Sequence, residues 1–204
     1  MSILFPAFLR LGKRRCLVVG AGRVAAEKIE GLLRAGANVE VVAPRAIPRV
    51  RGWADAGEVR WAARKFRSSD LEGAFLVVAA TSSSKLHERI YRQARQRGVL
   101  CNVVDDPVHC DFYYGAVVQR GDLQIAISTA GKSPALAQRI RKQFEKEFGP
   151  EYELWLEEIG NARGKLFAKK MQPERRRRLL HHLASQLSHD QFTRRRKKNS
   201  ASTT

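Results

Sequence analysis

Short apolar runs alternate with helical patterns through the first half of the chain, and the alternation stops near Pro107. Residues 16–20 and 39–43 read as the first two strands. Between them, Ala25, Ile29, Leu32 and Leu33 recur at helical spacing over about residues 24–35, and Gly36 ends that helix. Pro44 and Pro48 break the chain, a helix or turn follows near 50–56, and 60–65 predicts a short strand ahead of Asp70-Leu71-Glu72. Residues 75–80 form a fully apolar run that fits a buried strand. The polar loop 81–84 opens a helix over 86–97 with Ile90 and Ala94 facing inward, Gly98 closes it, and 100–104 is the next strand. Strands that are apolar on both faces, alternating with helices, predict an α/β fold with a parallel, doubly wound sheet. Its ligands belong at the carboxyl ends of the strands.

Beyond Pro107 the pattern changes. Residues 113–118 and 123–128 flank Gln119-Arg120-Gly121-Asp122 and predict a hairpin, an addition that in such proteins often serves dimer formation. Ser133 caps a helix with Pro134 at its first position, running through Ala137, Ile140 and Phe144 to Phe148, and Gly149-Pro150 ends it. Residues 151–192 predict two or three further amphipathic helices, with Tyr152, Trp155, Leu156 and Ile159 on one face and Leu179, Leu180 and Leu183 on another. The expected organisation is a nucleotide-binding domain over 1–112, a dimerisation region over 113–149, a helical domain over 150–192 and a basic, disordered tail over 193–204.

Composition narrows the classes. At 204 residues and 44% hydrophobic content the chain can bury a full core. Its longest apolar runs fall far short of a membrane span, and the start MSILFPAFLRLGKRR lacks the pattern of a secretory leader, so no membrane partner and a cytoplasmic location are expected. The cysteines Cys16, Cys101 and Cys110 have neither disulfide nor zinc spacing and read as buried thiols. The formal charge of +18 is spread out, +7 over residues 151–204 and +11 over residues 1–150. That distribution suits a polyanionic small substrate or a generally basic surface, and no specific nucleic-acid partner is expected.

The most informative motif is CLVVGAGRVA, an apolar strand opening into Gly20-x-Gly22-x-x-Ala25 before a helix. Gly20 would let the chain turn off the strand, Gly22 would let backbone approach a pyrophosphate, and Ala25 would allow close helix packing. This predicts a Rossmann-type dinucleotide site with the pyrophosphate on the helix N-terminus. At the end of the second strand the chain reads Val42-Ala43-Pro44-Arg45, with no acid to hold the ribose hydroxyls, and Glu40 lies inside the strand; NAD and NADP both stay open at this point.

Asp105 and Asp106 end the 100–104 strand, at the ligand edge, where a carboxylate shielded by a flat apolar ligand would suit proton transfer. The plainer reading of Asp-Asp-Pro is a turn. Ala130-Gly131-Lys132-Ser133 follows a strand and opens a helix, yet it lacks the earlier glycine of a P-loop, so an NTPase is not expected and a carboxylate or phosphate contact is kept. His87, His109, His181, His182 and His189 show no ligand spacing, and the last three are expected to be exposed. No resident metal is predicted.

Taken together, VVGAGRVAAEKIEGLLRAGANVEVVAP, VVAAT, CNVVDDP and ISTAGKSPALAQRIR stand in the order and spacing of precorrin-2 dehydrogenases, and the chain resembles that family from about residue 5 to 148. The family includes dehydrogenase/ferrochelatase enzymes and the amino-terminal half of siroheme synthase. The resemblance implies NAD-dependent oxidation of precorrin-2 to sirohydrochlorin, with ferrous iron insertion in some members, in an interlocked homodimer. It assigns the pyrophosphate turn to Gly20, Gly22, Arg23 and Val24, the adenosine side to Pro44 and Arg45, the nicotinamide border to Thr81 and the catalytic carboxylate to Asp105. Lys132, Ser133 and Arg120 are the expected contacts to the many carboxylates of the tetrapyrrole substrate. The rival expectation is a dinucleotide-sensing Rossmann module that regulates a partner without chemistry.

Overall fold

In a computed structural model the protein is described over residues 4–169, 171–185 and 188–194, so most of the basic tail, 195–204, lies outside the described residues. The chain divides into two compact units, Met1–Tyr114 and Gly115–Thr204. The first unit holds β1 (Arg15–Val19), α1 (Arg23–Arg34), β2 (Asn38–Val42), α2 (Pro48–Asp55), β3 (Val59–Ala62), β4 (Leu76–Ala79), α3 (Ser84–Gln96) and β5 (Leu100–Val103). These strands form one parallel sheet in the order β3-β2-β1-β4-β5, the doubly wound topology that the alternating pattern predicts.

The two-residue period of each strand sends its side chains to opposite layers. Cys16 and Val18 of β1, with Val39, Val41 and Val78, pack under Ala25, Ile29 and Leu32 of α1. Leu17, Val19, Val42, Val77 and Ala79 pack on the other face against Ile90 and Ala94 of α3. Residues at the strand ends therefore sit on a rigid platform. The exposed edge of β5 is closed by the chain that follows it, where Asp111 N–H donates to the Cys101 carbonyl at 2.8 Å and the Asp111 carboxylate accepts from Cys101 N–H at 2.9 Å.

The 3₁₀ turn Ser68–Leu71 carries Asp70, whose side chain is almost fully buried. Arg64 grips it in a bidentate pair at 2.7 and 2.9 Å, and Arg67 N–H donates at 2.8 Å. Burial works to raise the Asp70 pKa, and the hydrogen bonds from Arg64 and Arg67 outweigh it and hold it below the usual carboxylate value.

The second unit holds the hairpin β6 (Ala116–Arg120) and β7 (Leu123–Ile127), then α4 (Pro134–Glu147), α5 (Glu151–Ala168) and α6 (Pro173–Leu183), with helix again over 188–194. Gly121 starts the two-residue turn at φ +54, the left-handed region in which glycine carries no Cβ penalty. Ser133 accepts from Leu136 N–H at 3.2 Å and caps α4 as its sequence predicts. His181 and His182 are exposed. His189 is not: it is buried, its ring 4.5 Å from that of Tyr152 and 4.7 Å from that of Trp155. Apolar stacking outweighs the exposure that the surrounding basic sequence implied.

Because the Asp70 pKa is depressed on folding, its contribution is present above the unfolded value of about 4 and is lost as pH falls through the folded value. Urea unfolding followed by circular dichroism should show stability falling below about pH 4, and Asp70→Asn should be less stable at neutral pH by about 2–4 kcal/mol with a flatter acid limb.

Candidate functional site

The turn between β1 and α1 is built around Gly20. Its φ is +115, and a Cβ there would stand 2.1 Å from the carbonyl oxygen of Ala80. Only glycine lets the ends of β1 and β4 approach this closely. Gly20 N–H donates to the Val42 carbonyl at 3.0 Å and Ala80 N–H to the Val19 carbonyl at 2.8 Å, so three strand ends are locked together. Gly22 is different: a Cβ there would meet nothing within 4 Å, so no packing within the protein demands a glycine. The space in front of it is open to a ligand.

Gly22 is the N-cap of α1 with no side-chain cap, and the first turn carries no acid. The first helical bond runs from Ala26 N–H to the Gly22 carbonyl, which leaves the earlier N–H groups directed out of the helix end, as an anion requires. Arg23 is exposed beside them, and Val24 is 44% exposed in the same turn. The loop after β2 is tied to this turn by Ile47 N–H donating to the Ala21 carbonyl at 3.1 Å, which holds Pro44 and Arg45 close to it.

A cavity of about 320 Å³ opens here, lined by Gly20, Pro44, Lys65, Phe66, Thr81 and Arg89 among others. Its walls, completed by Val19, Val42 and Leu86, are apolar enough for a flat heterocycle, and its volume is within the range of ligand pockets. Thr81 is held from behind: His87, buried on α3, accepts from Thr81 N–H at 3.3 Å and shares a hydrogen bond with the Thr81 hydroxyl at 3.0 Å. The open glycine, the free helix end and the apolar walls together fit a dinucleotide. Sequence reasoning found Gly20, Pro44 and Thr81 but missed Lys65, Phe66 and Arg89, which come from the loop after β3 and from α3 and share no motif.

A second cavity, about 170 Å³, lies at the end of β5 and is lined by Lys28, Asn102, Asp105, Cys110, Tyr113 and Tyr114 with their neighbours. The structure separates the two adjacent carboxylates. Asp106 Oδ2 is 2.6 Å from His109 Nδ1, and that hydrogen bond is the main cause holding Asp106 below the usual carboxylate value. Asp105 makes no such bond; it stands exposed at φ +61, a left-handed conformation that aspartate tolerates better than most residues. Asp106 thus serves the turn, and the Asp105 carboxylate stands at the cavity without such a bond. Lys28 lies with its ammonium 4.1 Å from the Tyr114 ring centroid and brings a cation to the same cavity.

Asn102 is buried beneath it and donates to the Phe112 carbonyl at 2.8 Å. Cys110 is half-buried rather than buried, and its thiol donates to the carbonyls of Val103 and Asp106 at 3.2 Å. Burial pushes Cys110 up, Cys16 to about 11 and Cys101 to about 12, so all three remain thiols. Among the described residues no group of three His, Cys, Asp or Glu side chains could hold a metal ion.

The three expected substrate contacts are not brought together. Lys132 and Ser133 stand at the start of α4, where Ser133 N–H donates to Thr129 Oγ1 at 3.2 Å and Ala130 adopts φ +50. Arg120 serves the opposite end of the same helix: Nε donates to the Phe148 carbonyl at 2.8 Å and Nη2 to the Glu145 carbonyl at 3.0 Å. Its guanidinium is spent on capping carbonyls, a correction to the substrate contact expected from its charge.

Residues 7–116 match the family model described as "Putative NAD(P)-binding", and residues 120–147 match the model described as sirohaem biosynthesis protein central. The siroheme synthase of Photorhabdus laumondii is 44% identical over 140 residues, and that of Nitrosococcus oceani 40% over the same length. Each match covers 69% of this chain and 30% of the relative, so the chain spans under a third of those proteins. A solved structure, "SirC, precorrin-2 dehydrogenase", is 26% identical with a TM-score of 0.77, over 96% of this chain and all of that one.

The two glycines should separate stability from binding. Gly22→Ala should unfold within about 0.5 kcal/mol of the parent yet bind NAD about tenfold or more weakly by calorimetry. Gly20→Ala should cost about 2–4 kcal/mol in the same unfolding assay, from strain and the Ala80 clash.

Proposed function

Because this chain belongs to the NAD(P)-binding family that also forms a segment of siroheme synthases, we propose that it is a dehydrogenase oxidising precorrin-2 to sirohydrochlorin with NAD. The observation that carries this reading is the likeness to a precorrin-2 dehydrogenase along essentially the whole of both chains. Relatives named as synthases and a dehydrogenase lend nothing to the rival of a sensing module without chemistry.

The oxidation removes a hydride and a proton from the macrocycle. The nicotinamide, when bound, accepts the hydride. Within the chain, Gly22 and the α1 N-terminus hold the pyrophosphate with Arg23 and Val24 beside it, Pro44 and Arg45 take the adenosine side, and Thr81 borders the nicotinamide side, fixed by His87. Asp105 is the proton acceptor. Its carboxylate is free while that of Asp106 is engaged by His109, and it lines a cavity at the carboxyl edge of the sheet. Lys28 at that cavity supplies a cation for substrate carboxylates. In the second unit, taken by itself, the α4 N-terminus with Lys132 and Ser133 offers an anion a cation and free N–H groups.

The active form is a homodimer. Among the described residues the second unit buries few apolar side chains, notably Ala116, Val118, Ala137 and Phe192, and leaves Val117, Leu136, Leu154, Phe167 and Leu179 at least 37% exposed. Surface of that kind requires a covering partner. The three free cysteines suit a reducing, cytoplasmic setting, and no described helix is long and apolar enough to cross a membrane. Ferrous iron insertion is a second step on the same macrocycle, whose own nitrogens would be the ligands and whose two displaced N–H protons would leave, one to Asp105 and one to solvent.

Anaerobic incubation with enzymatically made precorrin-2 and NAD should yield NADH, and Asp105→Asn should lower kcat about 100-fold or more while NAD still binds. Absence of turnover in the parent protein despite NAD binding would overturn the proposal. Light scattering after gel filtration should give twice the 23.0 kDa chain mass; a monomer would remove the dimer from it.

A further inference from the structure

Resting on the dehydrogenase reading, we infer that His109, oriented by Asp106, is the group to which Asp105 passes the proton it takes from the substrate. One carboxylate holds one proton, so Asp105 has to be cleared before each new turnover. A substrate in the 170 Å³ cavity covers the side of Asp105 that lines it. His109 stands four residues on in the same turn and does not line that cavity, and its side chain is 28% exposed, so it still meets water when the cavity is filled.

The turn is built to hold this imidazole. His109 N–H and the Cys110 thiol both donate to the Asp106 carbonyl, at 3.1 and 3.2 Å, and the Tyr113 hydroxyl donates to the Pro107 carbonyl at 3.0 Å. The His109 ring meets that of Tyr91 edge to face, with centroids 4.9 Å apart. Asp106 Oδ2 lies 2.6 Å from Nδ1, and the bond between them keeps Asp106 ionised. An ionised carboxylate only accepts, so Nδ1 is the donor and the lone pair of the neutral ring lies on Nε2, which no described residue engages. A carboxylate behind Nδ1 fixes the tautomer and stabilises the imidazolium that forms when Nε2 takes a proton.

The other titratable or charged groups about the ring are Tyr91 of α3, with Arg95 5.8 Å from its centroid, Asp105 and Cys110 in the same turn, and Cys101 and Asp111 at the β5 edge. Neither thiol competes for the role, because burial raises both. The proton that leaves the substrate turns the Asp105 carboxylate into the acid. It then moves, by way of water, to His109 Nε2 and from the imidazolium to solvent, which leaves Asp105 ionised and His109 neutral again. No electron moves in this relay. His109 acts through Asp105, and Asp106 is its positioning residue.

The test is NADH formation by the full chain from enzymatically made precorrin-2 and NAD, in a weak buffer with and without added imidazole. His109→Ala should lower kcat about tenfold with KM for NAD unchanged, and imidazole should restore most of the loss. His109→Gln keeps a donor for Asp106 but cannot take a proton, so it should unfold like the parent and be as slow as His109→Ala. Parent-like kcat in His109→Gln, or a loss that imidazole does not relieve, would overturn the relay and leave the dehydrogenase reading standing. No NADH from the parent would overturn both.

Discussion

The site depends on one close approach. The backbone of Gly20 passes so near the Ala80 carbonyl that a single carbon on Gly20 would lie 2.1 Å from its oxygen. That contact brings together the ends of β1 and β4, the two strands at which the winding of the sheet reverses. A parallel sheet opens a crevice where its strand order reverses, and ligands enter there. The glycine turn, the Pro44 loop and Thr81 are consequences of that junction. Each is held to it by backbone hydrogen bonds or by His87, so no long flexible side chain has to order the cavity.

Around this junction the chain assigns its charges with little redundancy. Asp70 is consumed by Arg64, Glu40 by Arg15 and Arg60, and Asp106 by His109. Asp105 is left unpaired at one cavity, and Lys65 and Arg89 line the other without an ion-pair partner among the described residues. A net charge of +18 would by itself suit many anions. The pairing of the acids converts it into local fields, cationic at the cavity beside the glycine turn and acidic at the end of β5.

The second unit follows a different physical logic. Its hairpin and helices pair into regular elements, yet among the described residues its fully buried apolar side chains are few, Ala116, Val118, Ala137 and Phe192. Arg120 is spent on closing α4, and His189 is drawn between aromatic rings. Charge and histidine content are poor guides to chemistry when a helix end or an aromatic cluster offers the same side chain a structural role.

By itself the sequence determined the order of strands and helices, the pyrophosphate turn and the pair of aspartates, because each is a local pattern with a local cause: two-residue alternation, glycine where φ must be positive, acids after a buried strand. It did not distinguish Asp105 from Asp106, join Lys65, Phe66 and Arg89 into one wall, or show that Arg120 and Glu40 were already committed. Those outcomes depend on partners 20 or more residues away, or on which of two neighbouring carboxylates a turn aims at a histidine. Only the folded sheet fixes such distances, and with them which charges remain to act.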